Sequence, residues 1–383
     1  MHELLLRKDK VAIKKKINKI GNRLLFLIFF PLIITSCSLL SSNNDYFWED
    51  MGFPEQTIYK LFINESHIYA AAGHDGLWLR GLDENGSWEY LGGSVEDGER
   101  HFESGVQAVD VYEGRITIGY TDPPEIETDV RIGLWCSDNN GTDWSPCDEG
   151  VREEIGEEQS STVRTIQRSP HNPKHILVGN GSVYLSTNNG DQFNRLYPEP
   201  ELPFFYQSLY FGLHWHPTDD AVIWAYGETP RFQPWLMKTN DAGQSWEEFF
   251  HINIPRDNAF YSFMMDPVNP DIIYIGAQGA VIRSTQAGAE WKGDEPVPAL
   301  FTDDRGNFFY ALQTHPARGG VLFAAAAGRL YGSLNHGDTV SQIPTPENLT
   351  FILDMWFDPT SNMLYVAGDG GVFKLHNPLN AIP

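Results

Sequence analysis

The chain has 383 residues, 41% of them hydrophobic and 13% aromatic, so it can bury a large core and is no disordered segment. Its first 36 residues hold eight Lys/Arg and two acids, which leaves 19 basic against 49 acidic side chains and a formal charge of −30 on the remainder. A body of that sign repels nucleic acid and anionic lipid headgroups, and neither is expected as its partner.

At the amino terminus the basic run Lys14, Lys15, Lys16, Lys19 and Arg23 precedes the apolar stretch Leu24 to Thr35, then Ser36 and Cys37. This is the layout of a secretory signal. About a dozen apolar residues, interrupted by Pro31, are too few to span roughly 30 Å of hydrocarbon. Ile34-Thr35-Ser36-Cys37 resembles the bacterial lipobox, which implies a signal peptide over 1–36, lipidation of Cys37 and a tether over 37–45. The membrane is then reached through the lipid anchor only. Ser38 stands where an Asp favours inner-membrane retention, so the expected address is the cell envelope, on the outer membrane. Export places the remaining cysteines in an oxidising setting, and Cys136 and Cys147, bracketing a short hairpin, are expected to form a disulfide.

From residue 46 onward the chain repeats itself about every fifty residues. Three segments share a hydroxyl residue, Gly four later and Trp three after that: Ser137-Asp138-Asn139-Asn140-Gly141 to Trp144, Thr239-Asn240-Asp241-Ala242-Gly243 to Trp246, and Ser284 to Gly288 and Trp291. Ser186, Gly190 and Phe193 form a weaker copy, Ser333 to Thr339 another, and Leu82 to Trp88 a shortened one. The chemistry fits a hairpin turn. The hydroxyl and an Asp/Asn accept amide hydrogen bonds, Gly supplies a left-handed residue, and the aromatic returns as an anchor.

A strand pair precedes each such turn, its first member closing near a Gly and its second opening on an apolar pair, as in Ile176 to Gly179 then Val183-Tyr184. Seven copies are found. Upstream of most lies another strand closing on X-Pro: Ser169-Pro170, His216-Pro217, Asp266-Pro267, His315-Pro316 and Asp358-Pro359. Four short strands per repeat with Gly/Pro punctuation predict an all-β chain, a single seven-bladed propeller of four-stranded antiparallel blades over 46–383. The seventh repeat lacks its fourth strand after Leu375, and Tyr46 to Gly52 reads like one, so residues 46–52 are expected to pair with 371–376 and close the ring. Aligned on the X-Pro turns, the innermost strands place Thr165, Gly212, Ser262, Ala311 and Asp354 at the axis, with Lys60 and Ala108 matching. Closure makes blades seven and one neighbours, so Lys60 is expected to face Asp354.

These turns resemble the Asp-box, or BNR, repeat. The resemblance covers nearly all of 46–376 and implies a propeller of the superfamily that includes sialidases, the sortilin luminal domain, xyloglucan-cleaving glycosidases and photosystem II assembly factors. It also implies that the turns lie opposite the ligand face. That face is built from the loops between second and third strands and the blade-to-blade connections. Its candidate residues are Tyr120, Glu125, Glu127, Glu228, Arg231, Phe232 and Trp235 from the loops, with Tyr206 and Arg256 from the connections.

The resemblance specifies fold better than function. The sialidase Arg-Ile-Pro signature is missing, and no catalytic residue can be assigned. His214 and His216 have the spacing of two ligands on one strand face, but His216 is read as a turn residue. Asp138-Asn139-Asn140 and Asp369 are calcium-like in composition only. No metal or other cofactor is therefore expected. The function expected is a non-catalytic envelope scaffold holding a protein client or a glycan. The alternative is a glycoside hydrolase, sialidase-like enzyme or lyase acting on extracellular polysaccharide, which needs two carboxylates roughly 5–10 Å apart across the axial mouth.

Overall fold

In the computed structural model the described residues are 45–383, apart from 54–55, 84–85, 94–104, 122–124, 128–129, 156–157, 180–181, 198–208, 229–232, 250–251, 253, 255–258 and 292–295. The segment 1–44, with the expected signal peptide and Cys37, lies outside them.

Each repeat folds as a meander from the axis outward. Blade one is Lys60–Ile63, His67–Ala71, Leu77–Gly81 and Glu89–Gly92. Blade two is Gly105–Tyr112, Arg115–Thr121, Leu134–Ser137 and Ser145–Pro146, and blade three is Thr165–Arg168, Ile176–Gly179, Val183–Ser186 and Asn194–Tyr197. Blade four is Leu209–Trp215, Ile223–Glu228, Pro234–Thr239 and Glu247–Phe249, and blade five is Ser262–Met265, Ile273–Gly276, Ala280–Ser284 and Ala299–Thr302. Blade six is Phe309–Thr314, Leu322–Ala326, Arg329–Ser333 and Ser341–Ile343, and blade seven is Ile352–Asp358, Met363–Gly368 and Gly371–His376. Second strands such as Ile273–Gly276 and Leu322–Ala326 are buried at every residue, because a blade covers each of their faces. This is why they read as unbroken apolar runs rather than alternating ones.

The fourth strand of blade seven is Phe47–Asp50, antiparallel to the carboxy-terminal strand with Trp48 opposite Leu375 and Asp50 opposite Phe373. Glu49 binds Lys374 at 2.8 Å and His376 at 2.7 Å, and Trp48 Nε1 donates to the Pro344 carbonyl of blade six at 2.8 Å. The innermost strands touch in order from blade one to blade seven, and the seventh touches the first. Seven apolar clusters, one for each blade boundary, fill the spaces between the sheets.

An eighth four-stranded sheet is present and is not a blade. It joins Glu125–Glu127 and Val130–Arg131, from the long loop of blade two, to Glu153–Ile155 and Glu158–Ser160, from the connection to blade three. Its central pair is parallel, with Ser160 opposite Arg131. These segments were expected as loops. Strands of two or three residues give too short a pattern to read, and a parallel pairing of distant segments leaves no hairpin signal.

The hydroxyl–glycine turns share one geometry. Ser137, Ser186, Thr239, Ser284 and Ser333 each accept the amide of the glycine four residues on, at 2.7–2.9 Å. The hydroxyl donates in turn to Asn139, Asn188, Asp241 or Asn335, and in blade five to Glu290. In blade two the acceptor is thus Asn139 and not Asp138, an exposed residue that faces Arg115 at 3.6 Å. An Asn oxygen fills the same position as an Asp oxygen, so a reading that looked for the acid fell one residue early. The aromatic reaches back to the preceding blade: Trp144 Nε1 donates to the Leu91 carbonyl at 3.0 Å, and Trp246 packs on Tyr197 at 5.9 Å. In the same blade two, a disulfide joins Cys136 to Cys147 with the sulfurs 2.05 Å apart. It ties the third strand to a fourth strand of only two residues.

Two predictions arise from these turns. The residue before each turn glycine is also left-handed, Asn140 and Asn189 among them, and Ala242 is held there at φ 57°. Left-handed backbone costs a β-carbon-bearing residue about 1–2 kcal/mol, and Asn tolerates it best. Ala242→Asn is expected to stabilise the domain by about 0.5–1 kcal/mol in chemical denaturation, and an unchanged midpoint would contradict this. Asp241 accepts hydrogen bonds from Ser245 Oγ and amide and from Thr239, which lower its pKa to about 2. A carboxylate depressed in the folded state contributes stability that is complete above its unfolded pKa and lost as pH falls through the folded value. Asp241→Asn, the residue blades two, three and six already use, is therefore expected to unfold less steeply with acid between about pH 4 and 2. Identical acid titrations of the two melting temperatures would exclude the effect.

Candidate binding site at the axial mouth

In a meander entered at the axis, the loops between second and third strands share a face with the blade-to-blade connections. The hydroxyl–glycine turns share the other face with the X-Pro turns. His216 belongs to the latter, its Nδ1 accepting the Thr218 amide at 3.3 Å, and Asp266 caps its own turn through the Val268 and Asn269 amides.

The residues expected on the loop face divide into three groups. Tyr120 and Trp235 are closed to a ligand, at 5% and 1% exposure. The Tyr120 hydroxyl donates to the Gly93 carbonyl at 2.7 Å, fastening the exit of blade one to blade two, and Trp235 packs into the core beside Tyr197. Both stand on strands that run further toward the face than a loop reading allows. Glu228 ends the second strand of blade four, opposite Pro234, and is half-buried. Glu125 and Glu127 stand on an edge strand of the accessory sheet. Arg231, Phe232, Tyr206 and Arg256 lie outside the described residues.

Along the axis runs a cavity of about 300 Å³, lined among others by Lys60, His214, Tyr226, Phe263, Tyr310, Gln313, Asp354 and Trp356. Lys60 Nζ donates to Asp354 Oδ1 at 2.8 Å, and the Leu61 amide donates to Oδ2 at 2.8 Å, so blades one and seven are joined across the closure by a pair with both carboxylate oxygens occupied. Asp354 is the one carboxylate among the lining residues. His214 packs against Phe263 and Tyr226 at 5.3 and 5.9 Å. Burial, with the Lys60 charge, pushes it down to about 3, so the imidazole is neutral at physiological pH. Gly212 occupies the axial position of blade four because the Tyr226 ring fills the place of a β-carbon. Among the described residues no group of three or more His, Cys, Asp or Glu is gathered for a metal, and no helix is long and apolar enough to cross a membrane.

At its loop-face end the axis carries a feature that repeats in every blade. Gln107, Phe211, Tyr310 and Leu353 are skipped in the pairing of the first strand with the second, so two residues oppose one. In blades one, three and five, Tyr59, Arg164 and Tyr261 donate their amides to Ala71, Gly179 and Gly276, which also pair with the next residue, Lys60, Thr165 and Ser262. A bulge re-aims the side chain it carries. Here it adds one residue per blade at the loop-face end of the innermost strands, three of them tyrosines.

Four aromatic rings gather on this rim at blades five to seven. Tyr261 meets Phe308 at 4.8 Å and Tyr310 at 5.1 Å, Phe308 meets Tyr310 at 5.7 Å, and Phe351 meets Tyr310 at 6.0 Å. All four are half-buried, and Tyr310 also lines the cavity. None was among the residues singled out from the sequence. The alignment that placed Lys60 and Asp354 at the axis holds the signal one position earlier, at Tyr59, Phe211, Tyr261 and Tyr310.

Seven four-stranded sheets about this channel define an all-β, seven-bladed propeller. No family model matches the chain, and no curated protein matches it in sequence. Among solved structures it is similar to YCF48 from Cyanidioschyzon merolae, with 14% identity and a TM-score of 0.57 over 87% of this chain and 99% of that one. YCF48 bound to D1 peptide aligns with 16% identity and a TM-score of 0.57, over 86% and 96% of the two chains. The extracellular domain of the one component system BT4673 from B. thetaiotaomicron aligns at 12% identity and a TM-score of 0.56, over 84% of this chain and 38% of that one. At such identities the likeness is one of fold.

Proposed function

We propose that the chain is a lipid-anchored cell-envelope propeller with Asp-box turns, which holds a protein client on its loop face and performs no chemistry on it. The observation that carries this reading is the axial mouth: half-buried aromatic rings stand on or just before the innermost strands, above a channel whose one lining carboxylate is already neutralised by Lys60. Aromatic residues that keep an exposed face on a rigid scaffold are the usual anchors of protein recognition. The likeness to YCF48, seen bound to D1 peptide, and to an extracellular domain supports the same class of role. Lipidation of Cys37 supplies the anchor, because an acylated cysteine with a second chain gives stable attachment without a spanning element.

The test is photocrosslinking in cells. A photoreactive residue at Asp304, on the loop face with its side chain 81% exposed, is expected to capture a polypeptide that protease removes. The same probe at Val268, 68% exposed on the opposite face, is expected to capture none. Adducts from position 268 alone, or adducts digested by glycosidases rather than proteases, would overturn the reading. Cys37→Ser is expected to release the protein from the membrane fraction, and unchanged fractionation would remove the anchor from the proposal.

A further inference from the structure

We infer that the rings of Tyr261, Phe308, Tyr310 and Phe351 form a socket for one apolar side chain of the client, carried on a segment with Lys or Arg on either side; this rests on the reading of the loop face as a protein-binding surface.

The ring geometry selects the chemistry. Tyr261 stands at 66° to Phe308 and 70° to Tyr310, and Phe308 lies at 44° to Tyr310. Adjoining rings therefore pack edge against face and present an uneven apolar surface, with no broad coplanar platform. A sugar ring stacks on such a platform. A Leu, Phe or Pro side chain is better enclosed by rings set at angles, which contact it from several sides. Tyr310 belongs both to this cluster and to the lining of the axial cavity.

Its surroundings select the sign of the flanks. The body of the chain carries −30, and Asp304, in the connection leading to Phe308, keeps its side chain 81% exposed while pairing with Arg329 at 2.6 Å. The cation of the throat, Lys60, is tied to Asp354. A basic segment is thus drawn to this face, and an acidic one is repelled from it. The rings also need little ordering on binding. Tyr310 and Tyr261 occupy bulge positions of paired strands, and Phe308 bridges to Gln278 of blade five. Little conformational entropy remains to be lost there when the segment docks.

The experiment is fluorescence anisotropy on the full-length protein in detergent, with four labelled probes. These are a decapeptide with a Phe-Leu centre and Lys flanks, the same centre with Glu flanks, a Lys-flanked Ser-Gly centre, and a glucose hexasaccharide. The Lys-flanked Phe-Leu peptide is expected to bind at least about tenfold more tightly than the others. Phe308→Ser is expected to weaken it by about tenfold or more, as loss of an anchoring aromatic does, with an unchanged melting temperature. Tyr261→Ala supplies the same reading where Phe308→Ser unfolds. Peptide binding that both variants leave intact overturns the socket and leaves the loop-face scaffold standing. Binding of the hexasaccharide with no peptide bound overturns the scaffold reading itself. A wild-type protein that takes up none of the four, or prefers the Glu-flanked peptide, overturns the inference.

Discussion

Deleting residues 45–52 is expected to unfold the ring, with a loss of more than about 5 kcal/mol. The deleted strand supplies the outer edge of blade seven. It also inserts Met51, 3% exposed, into the boundary between blades seven and one, and removing a buried side chain of that size costs about 2–5 kcal/mol by itself. To this are added the hydrogen bonds of the Phe47–Asp50 ladder, the Met51 amide bond to Val372 and the Trp48 bond to Pro344, each contributing about 1 kcal/mol. A domain of this kind has a margin of only about 5–15 kcal/mol. A synthetic peptide spanning residues 45–53, added in trans, is expected to restore part of the lost melting temperature. A deletion variant that melts like the parent would show that the ring closes without the strand.

Trp291→Ala is expected to cost about 3–5 kcal/mol, the range for a fully buried large aromatic. Its indole is 2% exposed and sits in the boundary between blades four and five with Trp224, Phe249 and Phe263. The equivalent change at Trp246 is expected to cost less than half as much. That ring is only partly buried at the boundary of blades three and four, so its removal leaves a space water can enter. Chemical denaturation of the two variants side by side measures the difference, and equal losses would mean that the turn aromatics anchor their blades to the same degree irrespective of burial.

The sequence carried the ring because a repeat supplies several independent readings of one position. Aligning the innermost strands on their prolines brought Lys60 and Asp354 to the same level, and the missing fourth strand of blade seven pointed to Tyr46 to Gly52. What stayed hidden was of a different kind. Tyr120 and Trp235 were read as loop residues, but the strand ladders run past them and bury both. The accessory sheet depends on a parallel pairing between segments that the chain separates by about thirty residues. Two of the four rings at the mouth, Tyr261 and Tyr310, sit on bulges, and a bulge shifts side chains by one position without a signature in residue type. The aromatic row beside the axial residues was thus visible as letters, whereas its direction was not.

The account as a whole requires a ring held shut by its amino-terminal strand, which keeps the mouth in one shape before a client arrives. Native-state hydrogen exchange tests this most directly. The ladder amides of Phe47–Asp50 are expected to exchange only as slowly as those of the innermost strands, through global unfolding. Fast exchange of that strand, with the seven blades otherwise protected, would contradict the closure on which the preformed mouth depends.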